Sequence, residues 1–115
     1  MTEVKRGEVW FVSLDPTIGH EIKKSRPAVI IQNDLGNKFS QTTIIAPVTS
    51  SVERVYPFEA LIGMNGGLEK DSKVLLNQIR VVDKRRLVRR LGRLDAGSMN
   101  LVDDALKRSL GLVTF

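Results

Sequence analysis

The sequence predicts a mainly β fold of the α+β class, a small and strongly bent barrel with one helix packed against it. Three observations lead to this prediction. Several short apolar segments, alternating or rich in β-branched residues, recur between residues 8 and 94. The last segment is apolar with the period of a helix. The 115 residues match the size of one ordinary domain, so we expect residues 1–115 to form a single domain.

Six segments are predicted to be strands. In the first, Trp10, Val12 and Leu14 alternate with more polar neighbours, which indicates a half-buried strand. Pro27 disfavours a helical conformation at Arg26 and begins the second strand. The six strands are Glu8–Leu14, Ala28–Gln32, Thr42–Val48, Tyr56–Ile62, Ser72–Ile79 and Val88–Leu94.

The remaining segments contain turn and helix signals. Asn33–Asn37 is predicted to be a turn. Asp83 can cap one helical turn that runs to Leu87. A C-terminal helix follows, with either Asp95 or Ser98 as its N-cap. Its apolar face consists of Val102, Ala105, Leu106 and Leu110, and Gly111 can end it.

Composition limits the classes of function that fit. The net charge of +5, from 18 basic and 13 acidic side chains, favours a polyanionic partner. The chain has no cysteine, which excludes disulfides, thiolate metal sites and a cysteine nucleophile. The N-terminus lacks the apolar core of a signal peptide, and the longest apolar runs are too short to span a bilayer. We therefore expect a cytoplasmic protein without membrane association.

Basic residues cluster in two places. Lys23, Lys24 and Arg26 lie in an early loop. The second cluster lies between Lys84 and Arg93, in a stretch whose one acidic residue is Asp83 at its start. Each cluster is either a solvated face or a surface for a polyanion, and the sequence alone leaves both readings open.

A series of short motifs follow one another along the chain. They are Arg6–Trp10, Leu14–Pro16, Gly19–Glu21, Arg26–Ile31, Pro47–Ser50, Tyr56–Glu59, Asp71–Val74, Gln78–Arg80 and Asp83–Leu87. Each motif alone is weak evidence. In this order and spacing they resemble the MazF/PemK toxins of type II toxin–antitoxin systems over nearly the whole chain.

The resemblance implies an SH3-like β-barrel of the MazF/CcdB type that forms a homodimer. It implies an endoribonuclease that cuts single-stranded RNA, including mRNA, at short sequence motifs and so inhibits translation and growth. It also implies a cognate antitoxin whose flexible tail occupies the RNA groove. Contact with DNA is then expected only indirectly, through the antitoxin.

RNA can be cut without a metal when its 2′-hydroxyl is deprotonated and attacks the adjacent phosphate. The chain has one histidine, His20, which excludes a two-histidine mechanism within one subunit. We find no His/Asp/Glu cluster with metal-ligand spacing and expect neither a metal nor another cofactor. The catalytic pair of the family, an arginine before proline and a threonine ending the third strand, matches Arg26 and Thr49.

Other residues are candidates for the same site. Glu21 lies where some relatives have a proposed acid/base residue, and it either takes the 2′-proton or pairs with Arg26 or Lys24. Trp10 and Phe11 point to opposite faces of a strand, so we expect Trp10 in the core and Phe11 available to stack a base or line the dimer. The candidate RNA-binding residues are His20, Lys23, Lys24, Ser50, Gln78 and Arg80.

Two other functions remain open for the same fold. One is a gyrase-poisoning toxin that acts through protein–protein contact, and the other is a non-catalytic RNA-binding barrel. The match at Arg26, Pro27 and Thr49 counts against the gyrase poison, because that class does not need this catalytic pair. For the nuclease we expect 2′,3′-cyclic phosphate and 5′-hydroxyl ends.

Overall fold

Seven strands and two α-helices form the regular structure of residues 3–22 and 24–114, which the computed structural model describes. The strands are β1 (Glu8–Ser13), β2 (Ser25–Ile30), β3 (Thr42–Thr49), β4 (Glu59–Gly63), β5 (Ser72–Leu75), β6 (Arg80–Asp83) and β7 (Leu87–Arg93). The helices are α1 (Asp34–Phe39) and α2 (Ala96–Ser109). Short 3-10 helices occupy Leu76–Gln78 and Lys84–Arg86.

The strands form one antiparallel sheet in the order β4-β5-β3-β2-β1-β7, and β6 pairs with β3. One edge of β3 pairs with β2. Its other edge pairs with β6 at residues 42–45 and with β5 at residues 48–49. The sheet bends towards a barrel. The β4–β5 loop packs closely on β7 at Gly67, where a Cβ atom would collide with the carbonyl oxygen of Leu91.

The bent sheet has a buried cluster on each face. Val9 of β1 belongs to the cluster covered by α2, which contributes Val102 and Ala105. Trp10 and Val12 belong to the cluster on the opposite face. The alternation along β1 therefore divides its side chains between two apolar layers, as the period of a strand requires. The predicted core position of Trp10 is confirmed, since its side chain is buried.

The predicted fold class is confirmed, a mainly β structure with a C-terminal helix. The predicted strands correspond to β1, β2, β3, β4, β5 and β7 within a few residues. The fifth predicted strand is too long, because β5 ends at Leu75 and the chain continues as a 3-10 helix. Strand β6 was not predicted. Its two apolar residues, Val81 and Val82, are adjacent, so the segment shows no alternation of apolar and polar residues.

The predicted turn at Asn33–Asn37 is wrong, because α1 begins there. The Asn33 side chain accepts a hydrogen bond from the Gly36 N–H and caps the helix. Asparagine favours turns and N-caps for the same reason, a side chain that bonds nearby backbone, so the sequence signal was ambiguous. The predicted cap at Asp83 is confirmed, since its carboxylate accepts from the Arg85 N–H.

The N-cap of α2 is Asp95 rather than Ser98. The Asp95 carboxylate accepts a hydrogen bond of 2.7 Å from the Ser98 N–H. This backbone bond lowers the pKa of Asp95, because it favours the charged carboxylate. The helix ends at Ser109, and Gly111 follows with a φ of 73°, a conformation that suits glycine.

Candidate active site

The predicted catalytic pair lies at the ends of two neighbouring strands. β2 and β3 are antiparallel, with Ala28 opposite Pro47. Continuing that register by two residues on each strand sets Arg26 opposite Thr49, beyond the last paired residues. Both side chains are partly buried and line one cavity of about 380 Å³. The fold therefore brings together two residues that are far apart in the sequence.

Arg26 supplies the cavity with a partly desolvated cation. Pro27 holds the backbone extended here, which keeps Arg26 on the strand as it enters the sheet. Partial burial lowers the pKa of Arg26. An arginine starts from so high a pKa that it stays protonated at working pH. The guanidinium is thus a permanent positive charge whose planar fork of N–H donors matches phosphate oxygens.

Thr49 supplies a hydroxyl at the last position of β3. Its Oγ1 accepts a hydrogen bond of 3.2 Å from the Ser51 N–H. Accepting that bond leaves the hydroxyl proton able to donate to another acceptor. Ser50, a predicted RNA contact, lines the same cavity and is exposed. The strand end therefore presents two adjacent hydroxyl groups.

Further side chains with useful chemistry line this cavity. Lys70 and Ser72, from the β4–β5 loop and β5, were not predicted. Arg89 belongs to the basic stretch whose role the sequence left open, and it lies over the ring of Phe11. The lining residues thus include three cations and one carboxylate, that of Glu69. Lys70 stands directly before the Asp71–Val74 motif, which is the one sequence signal that pointed towards it.

A buried ion pair fixes the β3–β4 loop beside Thr49. Lys73 lies opposite Thr49 in the pairing of β3 with β5. The Lys73 Nζ is 2.8 Å from the Glu59 Oε1 and donates a second bond of 2.6 Å to the Arg54 carbonyl oxygen. The same Glu59 oxygen accepts from the Tyr56 N–H at 2.9 Å. These bonds tie the loop that follows Thr49 to β4 and β5.

Four of the other predicted site residues line a second cavity of about 480 Å³. They are His20, Glu21, Gln78 and Arg80. None of them is among the residues that line the Arg26–Thr49 cavity. His20 is exposed. The structure therefore divides the predicted site into a catalytic cavity, defined by Arg26 and Thr49, and a loop cavity, defined by these four residues.

Polar groups of the loop cavity hold the β1–β2 loop in place. The Gln78 Oε1 accepts a hydrogen bond of 2.9 Å from the Ile22 N–H. The Arg80 Nη1 donates a bond of 3.0 Å to the Leu14 carbonyl oxygen. Both side chains thus contact the backbone of the loop. Their predicted contact with RNA stays a prediction.

The β1–β2 loop contains the last predicted residues. The Glu21 Oε1 accepts a hydrogen bond of 3.0 Å from the Ile18 N–H, within the loop itself. Lys24 is exposed and has a φ of 67°, and its N–H donates to the Asp15 Oδ1 at 3.0 Å. Lys24 lines neither cavity. Lys23 lies outside the described residues.

Within residues 3–22 and 24–114, no group of three or more His, Cys, Asp or Glu side chains could hold a metal ion. Within the same residues, neither helix is long and apolar enough to cross a membrane.

Comparison with known proteins gives concordant matches. The family model of the PemK-like, MazF-like toxins of type II toxin–antitoxin systems matches residues 5–110. The endoribonuclease EndoA of Bacillus subtilis is 44% identical over 114 residues, which cover 97% of this chain and 98% of the relative.

Solved structures give the same result for the fold. MazF from Deinococcus radiodurans superimposes with a TM-score of 0.83 and 27% identity, over 96% of this chain and 99% of that one. A mycobacterial endoribonuclease, solved in complex with its cognate antitoxin, has a TM-score of 0.81 and 23% identity, over 97% and 99% of the two chains. At 23% identity the second match supports the fold alone.

Proposed function

Since this chain belongs to the family of PemK-like, MazF-like toxins of type II toxin–antitoxin systems and is an endoribonuclease, we propose that it cuts single-stranded RNA in the cavity of Arg26 and Thr49. One observation carries this assignment. Two residues from different strands, a partly desolvated guanidinium and a hydroxyl, line one cavity with an excess of positive charge. Such a site suits a phosphodiester whose negative charge grows during reaction.

The proposed reaction is an internal displacement at phosphorus. The 2′-oxygen of the RNA gives its proton to water and forms a bond to the adjacent phosphorus, while the bond from phosphorus to the 5′-oxygen breaks. The 5′-oxygen takes a proton from water, so the reaction consumes no proton and no electron overall. The products are a 2′,3′-cyclic phosphate and a 5′-hydroxyl.

Each member of the pair has a role in this reaction. Arg26 neutralises the extra charge on the phosphorane, and a donor aimed at developing charge typically contributes about 3–4 kcal/mol to lowering the barrier. Thr49 donates its hydroxyl to a phosphate oxygen or to the 2′-oxygen. Because Arg26 supplies the charge that a metal would otherwise supply, we propose that cleavage is metal-independent. We leave Glu21 outside the catalytic pair, because its carboxylate bonds within its own loop.

We further propose a homodimer and an antitoxin partner. Apolar side chains at the C-terminal end are exposed in the isolated chain, among them Leu101, Leu110 and Leu112. Burying them between two subunits adds to the limited core of a small domain. An antitoxin partner is proposed from the family, whose members are toxins of type II toxin–antitoxin systems. Because the expected substrate is mRNA, we propose that the protein acts in the cytoplasm.

A cleavage assay in EDTA tests the nuclease and its mechanism. Purified protein is incubated with a long single-stranded RNA, and we expect discrete fragments with 5′-hydroxyl and cyclic-phosphate ends. An oligonucleotide with a single 2′-deoxy substitution at a mapped cut should resist cleavage there, whereas the same substitution several nucleotides away should not. Cleavage at the 2′-deoxy position would exclude the mechanism. Mobility shifts without fragments would indicate an RNA-binding barrel, and neither result would favour the gyrase poison.

A further inference from the structure

We infer that Arg89 binds a second phosphate of the RNA, next to the one that is cut. The inference rests on the proposed function, because it needs RNA in the catalytic cavity. Its basis is the position of Arg89, which lines the cavity of Arg26 and Thr49 although it lies on a different strand, β7. The ligand is the phosphodiester of a neighbouring nucleotide.

A row of three side chains on neighbouring strands runs from Pro27 to Arg89. Pro27, the neighbour of Arg26, lies opposite Phe11 in the pairing of β2 with β1. Phe11 in turn lies opposite Arg89 in the pairing of β1 with β7. Residues directly opposite each other in an antiparallel pair point to the same face of the sheet. Pro27, Phe11 and Arg89 therefore cross one face in sequence, and all three line the cavity.

Phe11 orients the guanidinium of Arg89. The Arg89 Cζ lies 5.6 Å from the centroid of the Phe11 ring, within the range of a cation–π contact. When a guanidinium stacks on a ring, the ring covers its flat face, and its N–H donors lie in the plane at the rim. The ring can thus hold the group in place without using the donors that a phosphate needs.

The charge of Arg89 is not paired within the described part of the chain, in contrast to its neighbour. The Nε of Arg90 is 2.8 Å from the Glu8 Oε2, so that arginine already has a carboxylate. Arg89 has the ring of Phe11 as its contact and is exposed. A strand of RNA has one phosphate for each nucleotide, so a chain seated at Arg26 carries further negative charges across the same cavity. Arg89 is placed to bind one of them.

Binding measured over a series of salt concentrations tests this role. The probe is a single-stranded oligonucleotide of mixed sequence with 2′-O-methyl groups throughout, which removes the nucleophile and prevents cleavage. For single strands each phosphate contact contributes about 0.7 to the slope of log affinity against log salt. We expect Arg89→Gln to flatten the slope by about that amount. Arg89→Lys should restore the slope, because the charge is kept.

Arg93→Gln is the matched control, because Arg93 is also exposed on β7 and does not line the cavity. It removes one charge as well and should leave the slope unchanged. Circular dichroism of every variant verifies the fold. An unchanged slope in Arg89→Gln, or an equal change in both Gln variants, would overturn the inference while leaving the nuclease intact. A wild-type protein that neither binds this probe nor cuts RNA would remove the proposed function as well.

Discussion

The catalytic cavity and the loop cavity differ in what their polar side chains do. In the catalytic cavity, Arg26 and Thr49 lie at strand ends, and the sheet register sets their positions. In the loop cavity, Gln78 and Arg80 donate to or accept from the backbone of the β1–β2 loop. Both cavities are lined by residues of the kind that bind RNA. In the loop cavity, the hydrogen bonds of Gln78 and Arg80 join the β1–β2 loop to the segment between β5 and β6 and to β6 itself.

This difference shows why residue type alone does not define a site. An arginine or a glutamine can bind a ligand or satisfy a buried backbone group, and the sequence is compatible with both uses. To tell ligand binding from a structural role, one must know the hydrogen-bond partner of each donor and acceptor, and that partner depends on the fold. We therefore expect substitutions in the catalytic cavity to act on the chemistry and substitutions in the loop cavity to act on the order of the loop.

The largest effect is expected in the catalytic cavity. Arg26→Ala and Thr49→Ala should each lower the rate of RNA cleavage by roughly 10²–10³-fold or more, because each removes a donor to the reacting phosphate. Both side chains are only partly buried, so circular dichroism should show an unchanged fold. Single-turnover cleavage of a defined oligonucleotide provides the rates.

Glu21→Gln is the comparison variant from the loop cavity. It keeps the shape of the side chain and an oxygen that can accept from the Ile18 N–H. We expect a change in the cleavage rate of a few-fold at most, because the proposed mechanism does not use this carboxylate. A loss as large as that of Arg26→Ala would make Glu21 the base and would join the two cavities into one functional site.

The fold could be predicted further than the site. Alternation along β1, the proline that starts β2 and the period of α2 are local signals, and local signals determine most element positions. Arg26 and Thr49 followed from a resemblance, and the register of β2 with β3 then explained their proximity. That register depends on pairing between distant segments, which no local pattern contains.

The roles that the sequence left undecided or did not indicate depend on long-range contacts. Arg89 lies in a run of basic residues, and only the pairing of β7 with β1 separates it from Arg90. Lys73 and Glu59 are charged residues that a composition argument assigns to the surface, yet both are buried and paired with each other. Neither feature could be predicted from the neighbours of these residues in the chain.

A medium effect is expected for the link between Gln78 and the β1–β2 loop. Gln78→Ala removes the acceptor of the Ile22 N–H, a bond of the kind that contributes about 0.5–1.5 kcal/mol. Hydrogen exchange at the Ile22 amide should accelerate by up to about tenfold, while the global unfolding midpoint changes little. Asn77→Ala is the control, because Asn77 lines the same cavity and is exposed. Unchanged exchange at Ile22 would show that the bond does not hold the loop.

The smallest effect is expected for His20. Histidine is the side chain whose charge changes near neutral pH, so it is a natural candidate for proton transfer in a ribonuclease. Here it lines the loop cavity, is exposed and does not line the cavity of Arg26 and Thr49. His20→Gln should therefore keep the cleavage rate within about twofold and leave the dependence of that rate on pH unchanged, since a group that transfers no proton in the reaction contributes no step to its pH profile. Cleavage rates measured from pH 5 to pH 8, about the range in which histidine titrates, would test both expectations.

If the variant lost more than about tenfold in rate and its pH profile became flat, His20 would be a proton-transfer group. The loop cavity would then close onto the catalytic cavity when RNA binds, and the separation of the two would describe only the free protein.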